Sequence, residues 1–133
     1  IRKSTREAVV TKLAGSTSGL ADSGTPTPAR FDGPSGVAVD SSGNAFIADF
    51  TNHRIRRIDG STVAVTTIGG TGISGNTDGD ATTSKFNYPI GIALDSSGNL
   101  WISEYGNHLI RKMTSAFVTS TVAGSTPGST DGT

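Results

Sequence analysis

Apolar residues along the chain occur in short runs, and each run is bounded by Gly, Ser, Asp or Asn. No run shows the 3.6-residue spacing of an amphipathic helix, whereas short runs between turn residues are typical of β-strands. The segment Asp40–Asn44 is a hairpin signal, because it has Asp at the turn start and Gly where a positive φ is needed. The predicted strands are 36–40, 46–48, 54–59, 63–68, 91–95, 100–104, 109–114 and 118–123.

The strands fall into two sets of four because the chain repeats itself at an offset of about 55 residues. The second copy keeps the turn sequence Asp-Ser-Ser-Gly-Asn and the order of apolar and polar positions on both sides of it. A period of this length indicates an array of supersecondary units, each of which buries its apolar face only against its neighbours. The matched segments are 36–44 with 91–99, 51–57 with 106–112, and 30–34 with 85–89.

The first two strands of each unit are apolar on both sides, which predicts that both faces of each sheet are covered. Radially arranged four-stranded sheets, each packed between two neighbours, satisfy this pattern. We therefore predict an all-β fold, a β-propeller segment with one four-stranded blade per repeat. Trp101 replaces Phe46 in the second strand of its blade, so we expect it to lie in the core.

The register at the two ends predicts incomplete blades. Residues 1–3 align with the third strand of a unit and residues 9–14 supply its fourth strand, which gives about two and a half blades where propellers close with about four to eight. Two explanations stay open: the sequence is a window from a longer chain, or neighbouring copies complete the ring. The predicted organisation is a partial blade at 1–14, a loop at 15–35, a blade at 36–69, a loop at 70–90, a blade at 91–124 and a truncated loop at 125–133.

The repeated segments resemble the NHL repeat. The segments that carry the resemblance are Gly36–Asn44, Ala48-Asp49, Asn52–Arg56, Asn107–Leu109, and the linker with Asp78-Gly79 followed by Lys85–Pro89. The resemblance implies a propeller, commonly of six blades, whose first strand is innermost. The copies differ where Asp49 becomes Glu104 and Arg54 becomes Leu109, so we expect the polar contacts at these corners to differ between blades.

Proteins of this family differ in function, and the resemblance carries no catalytic residue over to this chain. Some NHL propellers in tripartite-motif proteins bind RNA hairpins, some are zinc lyases that cleave modified glycine, and related propellers hydrolyse lactones. Their catalytic residues have no matched motif in this sequence, and no Ser lies in a Gly-x-Ser-x-Gly elbow. We expect no catalytic residue, no cofactor and no metal, while a fragment of a metal-dependent lyase or lactonase-like enzyme stays open as an alternative.

Composition and charge restrict the partners. The 133 residues include 11 basic and 11 acidic side chains, so the formal net charge is zero and no global field attracts nucleic acid or an anionic membrane. No apolar run approaches the roughly 20 residues that span a bilayer. The absence of cysteine excludes disulfides and thiol catalysis. Few charges, no cysteine and many Ser and Thr favour a secreted or extracellular protein.

Two histidines are candidate metal ligands. His53 and His108 stand at equivalent positions of the two repeats, each after an Asn, namely Asn52 and Asn107. Imidazole is a common metal ligand, but recurrence at the same point of both units favours a structural corner in which Asn and His bond the backbone. We interpret these four residues as a structural repeat corner.

Other polar segments have structural interpretations as well. Asp40 and Asp95 lack the further ligands of a calcium loop and are interpreted as hairpin residues. Asp78-Gly79-Asp80 is a weak cation candidate within a polar loop. The basic stretch Arg54–Arg57, with its counterparts in the other units, could bind phosphate, but we interpret it as a solvated outer face because acidic residues balance the charge.

The loops between the second and third strands carry the candidate partner site. Phe50 follows Asp49 and Tyr105 follows Glu104 in these loops, which converge on one rim of a propeller. An aromatic ring beside a carboxylate suits a protein or sugar contact. We predict a non-catalytic binding or structural module that displays these four residues to a protein or carbohydrate. A self-assembling subunit of a ring or filament is the alternative.

Overall fold

The computed structural model describes residues 1–24, 28–125 and 127–128, in which ten β-strands form three antiparallel sheets. One sheet has two strands and the other two have four strands each, which confirms the predicted all-β propeller segment with one four-stranded sheet per repeat. The strands are β1 (Arg2–Ser4), β2 (Val10–Lys12), β3 (Pro34–Val39), β4 (Ala45–Asp49), β5 (Arg54–Ile58), β6 (Val65–Gly69), β7 (Pro89–Leu94), β8 (Leu100–Glu104), β9 (Leu109–Met113) and β10 (Thr119–Ala123).

Each four-stranded sheet is a meander in which consecutive strands pair. We call β3–β6 the middle blade, β7–β10 the C-terminal blade and β1–β2 the N-terminal partial blade. The first strands begin at Pro34 and Pro89, earlier than the predicted 36 and 91. The fourth strands begin later than predicted, because Val63 and Phe117 stand in the preceding turns with φ of 54° and 61°. Much of the predicted last loop, 125–133, lies outside the described residues.

The middle and C-terminal blades pack face to face around an apolar core. The buried side chains of this core are Phe46, Ala48, Ile55 and Ile68 from the middle blade, and Leu100, Ile102 and Met113 from the C-terminal blade, together with Phe86 from the loop between them. Near the innermost strands, Ser35 Oγ of β3 donates to the Ile90 carbonyl oxygen of β7 at 2.9 Å. The interface between the repeats is therefore a continuous core.

The N-terminal partial blade packs on the opposite face of the middle blade. Ala14, Ile47, Ile58 and Val65 are buried in this second core, and Ile1 and Leu13 pack against it. The Ile1 amino group donates to the Ala14 carbonyl oxygen at 2.7 Å, which closes the two-stranded sheet. The described residues therefore form two blade-to-blade contacts.

Two apolar sheet surfaces are uncovered in the described part of the chain: the β3 side of the middle-blade face that the N-terminal partial blade covers only in part, and the outer face of the C-terminal blade. On the middle blade, Val37 and Val39 are 58% and 59% exposed, beside a groove of about 310 Å³ that Ile1 and Leu13 also line. On the C-terminal blade, Trp101 and Ile110 are 36% and 39% exposed. The expectation that Trp101 lies in the core is wrong. Its counterpart Phe46 is buried by the next blade, whereas Trp101 faces a side on which the described residues place no sheet.

Candidate functional site: the rim between two blades

Strand order places two kinds of segment at the same edge of the molecule. In a four-stranded antiparallel meander, the turn between the second and third strands lies at the end where the first strand begins. The β4–β5 turn of the middle blade therefore shares a rim with the segment that leads into β7 of the C-terminal blade. Phe50 and His53 lie in that turn, and Tyr88 directly precedes β7. The β3–β4, β5–β6, β7–β8 and β9–β10 turns lie at the opposite rim.

The corner of each blade is held by asparagine. Asn52 Nδ2 donates to the Gly19 carbonyl oxygen at 2.8 Å and to Asp49 Oδ2 at 2.9 Å. Asn107 Nδ2 likewise donates to the Gly75 carbonyl oxygen at 2.8 Å and to a carboxylate oxygen of Glu104. These bonds join the turn between the second and third strands to the loop that precedes the blade, so each rim loop is fixed from two sides.

A buried arginine completes this network in the middle blade. Arg56 is fully buried and bonds Asp49 Oδ2 at 2.8 Å and Asp22 Oδ1 at 2.7 Å. The guanidinium carbon also lies 5.0 Å from the ring centroid of Phe31, a cation–π distance. Arg56 thus ties the second strand, the third strand and the preceding loop together.

The same device recurs in the C-terminal blade. Arg111 is fully buried and bonds Asp78 Oδ1 at 2.7 Å and the carboxylate of Glu104, and its guanidinium carbon lies 5.2 Å from the Phe86 ring centroid. The interpretation of the basic stretch as a solvated face is therefore wrong for Arg56 and Arg111. Sequence reasoning missed this network, although an arginine directly after an isoleucine at the same place of both repeats was a usable signal.

The four predicted partner-binding residues occupy different environments. Asp49 and Glu104 are 0% and 4% exposed, and each accepts a hydrogen bond from the backbone of the preceding loop, at Asp32 and Asn87 respectively. Their carboxylates are enclosed in the arginine network and do not reach a partner, which corrects that part of the prediction. Tyr105 is 66% exposed. Of these four side chains, the two aromatic ones are therefore the more accessible to solvent.

Three aromatic rings lie together at the boundary between the two blades. The ring centroids of Phe50 and Tyr88 are 4.7 Å apart with planes inclined by 35°, and those of His53 and Tyr88 are 4.6 Å apart. Tyr105 adjoins them, since its backbone nitrogen donates to the Tyr88 carbonyl oxygen at 3.0 Å. We call Phe50, His53 and Tyr88 the aromatic cluster. It joins residues of two blades and was not predicted as a unit.

Tyr88 has an unusual backbone conformation. Its φ is 53°, in the left-handed region, and its counterpart in the first repeat is Gly33, with φ of 61°. Glycine adopts this region freely, whereas a residue with a Cβ atom is disfavoured there by about 1 kcal/mol. The replacement of a turn glycine by tyrosine was visible in the repeat alignment and is the signal that could have identified this residue.

His53 and His108 are corner residues with φ of 54° and 57°. His53 Nδ1 accepts a hydrogen bond from the Tyr88 backbone nitrogen at 3.1 Å, and burial lowers the pKa of its imidazole below the ordinary value. Both effects favour the neutral ring, because only an unprotonated Nδ1 can accept. His108 is exposed at the equivalent corner.

The remaining polar candidates are engaged in turns or ion pairs. Asp40 Oδ1 accepts from the backbone nitrogens of Ser42 and Asn44, as expected of a hairpin residue, and Asp95 acts in the same way in its own turn. Asp80 caps the loop in which it lies. Among the described residues, no group of three or more His, Cys, Asp or Glu side chains could hold a metal ion. Within the same residues there is no helix of the length and hydropathy that a membrane span requires.

Comparison with known families agrees with the repeat. The sequence model of the NHL repeat matches residues 31–58 and 86–113. The chain carries two NHL repeats. Among curated relatives, NHL repeat-containing protein 2 of Gallus gallus is 38% identical over 105 residues, which cover 77% of this chain and 14% of the relative. The chain thus spans a small part of the relatives it matches.

Solved structures share the fold of this NHL chain. A protein of unknown function from Bacteroides thetaiotaomicron superposes with a TM-score of 0.76 at 31% identity, covering 84% of this chain and 28% of that one. An auxiliary nutrient binding protein from Bacteroides ovatus superposes with a TM-score of 0.70 at 22% identity, covering 92% of this chain and 32% of that one. At 22% identity, the similarity to the second structure shows a shared fold only.

Proposed function

We propose that this chain supplies blades of a non-catalytic NHL propeller, a binding or structural module that displays the rim loops to a protein or carbohydrate partner. The module is part of a longer exported protein that also contains its other blades. The composition, poor in charge and free of cysteine, supports the assignment to an exported protein.

The observation that carries the proposal is the exposed aromatic surface on a fixed rim. Tyr105 and Tyr88 are exposed while the residues beside them, Asp49 and Glu104, are buried in the arginine network. Loops that are already held in place lose little conformational entropy on binding, so their exposed rings suit recognition. Tyrosine suits such a surface because it combines a large apolar ring with a polar hydroxyl.

The test replaces a half-buried and an exposed aromatic ring of the rim and leaves the buried network intact. Phe50→Ala and Tyr105→Ala, alone and together, are compared with Val118→Ala, an exposed apolar residue at the opposite rim. We expect the double variant to lose binding to immobilised polysaccharides or to proteins of the source organism that the wild type retains, and Val118→Ala to keep it. Unchanged binding by the double variant would contradict the proposed rim.

A second candidate function is self-assembly, in which neighbouring copies complete the ring. The uncovered surfaces carry counterparts of residues at the interface between the blades: Val37 and Val39 correspond to Ile92 and Leu94, and Ile110 corresponds to Ile55. Inside the chain, these counterparts pack between the blades. A second copy could therefore cover these surfaces with apolar contacts of the kind that join the middle and C-terminal blades, provided that it fits beside the N-terminal partial blade.

A further inference from the structure

We propose that the aromatic cluster and Tyr105 form a binding site for an uncharged carbohydrate, in which a sugar ring lies against the exposed aromatic surface. The inference rests on the proposed function, because it specifies the chemical class of the partner that binds the rim loops. Three observations carry it: the position of the rings, the backbone of Tyr88 and the lack of available charge beside them.

The rings are arranged across a blade boundary and do not serve either blade core. Phe50 comes from the middle blade and Tyr88 from the segment that leads into the C-terminal blade, with ring centroids 4.7 Å apart. Tyr88 is 37% exposed and Tyr105 is 66% exposed, so a substantial part of both rings faces solvent. The core between the blades is complete without them, since it is built from Phe46, Phe86 and aliphatic residues.

The turn at residue 88 does not require the tyrosine side chain. The first repeat has Gly33 at this place in the same left-handed conformation, so the turn itself needs no side chain. In the second repeat, Tyr88 stands in place of Gly33. Among the aromatic ring pairs of the described residues, the Tyr88 ring contacts the rim residues Phe50 and His53. Residues held in an unfavourable backbone region cluster at ligand sites, where the surrounding structure maintains them.

The hydrogen bonding at the cluster keeps Tyr88 in place. His53 Nδ1 accepts from the Tyr88 backbone nitrogen at 3.1 Å, and the Tyr88 carbonyl oxygen accepts from the Tyr105 backbone nitrogen at 3.0 Å. Both backbone polar groups of Tyr88 are thus bonded to residues that also line the site. The exposed rings are consequently preorganised, which reduces the entropy lost on binding.

The ionisable groups nearest the rings are neutral or paired, apart from Arg54, whose guanidinium is bonded to the carbonyl oxygens of Gly70 and Thr71. Asp49 is paired with Arg56, Glu104 is paired with Arg111, and all four side chains are buried. His53 accepts a hydrogen bond as the neutral imidazole. A charged ligand would find no free counter-charge among these groups, whereas a neutral ligand loses nothing by their pairing.

A sugar matches this combination of rings and hydroxyls. The face of an aromatic ring carries partial negative charge, and the C–H groups on one face of a sugar ring carry partial positive charge, so the two faces attract and also bury apolar surface. The tyrosine hydroxyls can donate to or accept from the sugar hydroxyls around the edge. A few such polar groups beside an apolar surface are sufficient to orient a small ligand.

The experiment uses the full natural polypeptide that carries these blades. Its migration is measured in native gels that contain soluble starch, galactomannan or xyloglucan as neutral probes, with polygalacturonate as a charged comparison. The dissociation constant for a hexasaccharide of the retained polymer is then measured by calorimetry. The variants are Tyr88→Gly, which restores the residue of the first repeat, Tyr105→Ala, and the opposite-rim control Val118→Ala.

We expect at least one neutral polymer to retard the wild type. Tyr88→Gly and Tyr105→Ala should each weaken hexasaccharide binding about tenfold, the loss of one ring contact, while Val118→Ala binds as the wild type does. Because glycine suits the backbone of residue 88, Tyr88→Gly should keep its unfolding midpoint within a few degrees, which separates lost binding from lost structure. Retardation by polygalacturonate alone, or by no polymer, would overturn the inference.

Failure of this inference can be told from failure of the proposed function. A wild type that binds none of the polymers but binds a protein, with that binding lost in Phe50→Ala/Tyr105→Ala, refutes the carbohydrate site and leaves rim display intact. Polymer retention that survives both Tyr88→Gly and Tyr105→Ala overturns the carbohydrate site and the proposed rim together.

Discussion

Each rim loop is anchored by a fully buried arginine, and the next residue in sequence has a basic side chain that is only partly buried. Arg56 bonds two carboxylates and lies against Phe31, whereas the adjacent Arg57 pairs with Asp59 at a half-buried position. Removal of one partner from a buried ion pair leaves an uncompensated charge, which is costly, while surface pairs contribute little. The two residues therefore form a natural comparison between a buried and a surface ion pair.

We predict that Arg56→Gln lowers the free energy of unfolding by about 3 to 5 kcal/mol, because Asp49 is left buried without its cation. The matched variant Arg57→Gln should change it by no more than about 1 kcal/mol. Urea denaturation followed by Trp101 fluorescence measures both. Equal effects of the two substitutions would contradict the role assigned to the buried arginine.

His53 gives the rim a dependence on pH. Burial lowers the pKa of the folded-state imidazole below the unfolded value of about 6.5, so the unfolded chain binds this proton more tightly. The stabilisation is therefore complete above that value and is lost as the pH falls below it. Protonation of Nδ1 also removes the acceptor for the Tyr88 backbone nitrogen.

The corresponding experiment compares the free energy of unfolding at pH 7.5 and pH 5 in the wild type, His53→Asn and His108→Asn. Asparagine tolerates the left-handed backbone of both corners and does not titrate in this range. The wild type and His108→Asn should lose more stability on acidification than His53→Asn does. Parallel losses in all three proteins would show that His53 does not couple the rim to pH.

At the scale of elements, the innermost strands of the two blades approach each other through glycine. A Cβ atom on Gly36 would lie 2.6 Å from the Ile90 carbonyl oxygen of the neighbouring strand. The equivalent Gly91 faces the side without a neighbouring sheet, and a Cβ atom there would meet only the Ser103 side chain. Gly36 therefore permits the close approach of two blades, whereas its counterpart Gly91 approaches no other blade in the described part of the chain.

Gly36→Ala should destabilise the chain by about 1 to 3 kcal/mol, because the backbones of β3 and β7 must move apart. Gly91→Ala should cost less, since the Ser103 hydroxyl can rotate away. Thermal unfolding of the two variants in parallel measures the difference. A Gly91→Ala variant as unstable as Gly36→Ala would contradict the close approach of the strands.

The strands were predictable from sequence because turn residues and short apolar runs are local signals that recur with the repeat. The environments of Arg56 and Trp101 were not predictable in the same way, since each depends on whether a neighbouring sheet or loop covers it. The two carboxylates of the candidate site were misjudged for the same reason: Asp49 and Glu104 end strands at a rim, yet the loop that precedes each blade encloses them. Local patterns thus indicate the element, and contacts between units decide burial.

At the scale of the whole molecule, the two uncovered apolar surfaces determine whether copies of the chain associate. These surfaces carry Val37 and Val39 of the middle blade and Trp101 and Ile110 of the C-terminal blade. The residues at the equivalent positions of the other blade pack between the two blades. Exposed apolar sheet faces promote association unless another sheet covers them. Copies of this chain should therefore associate through these uncovered surfaces.

We predict that the 133-residue chain forms concentration-dependent oligomers at micromolar concentration, measured by light scattering, and that Ile110→Lys reduces their mass. Ile110 is partly exposed, so the substitution should leave the fold of each blade intact. The exposed residue Val118, outside this face, provides the control substitution Val118→Lys. A stable monomer of the wild type would count against self-assembly.

The measurement that tests the central claim most directly is hydroxyl-radical footprinting of the natural polypeptide, with and without the partner that it retains. The account predicts that Phe50, Tyr88 and Tyr105 are protected from oxidation when the partner is bound, and that Phe117 at the opposite rim is unchanged. Protection confined to the opposite rim or to Trp101 on the blade face, with the three rim residues unaffected, would contradict display by this rim.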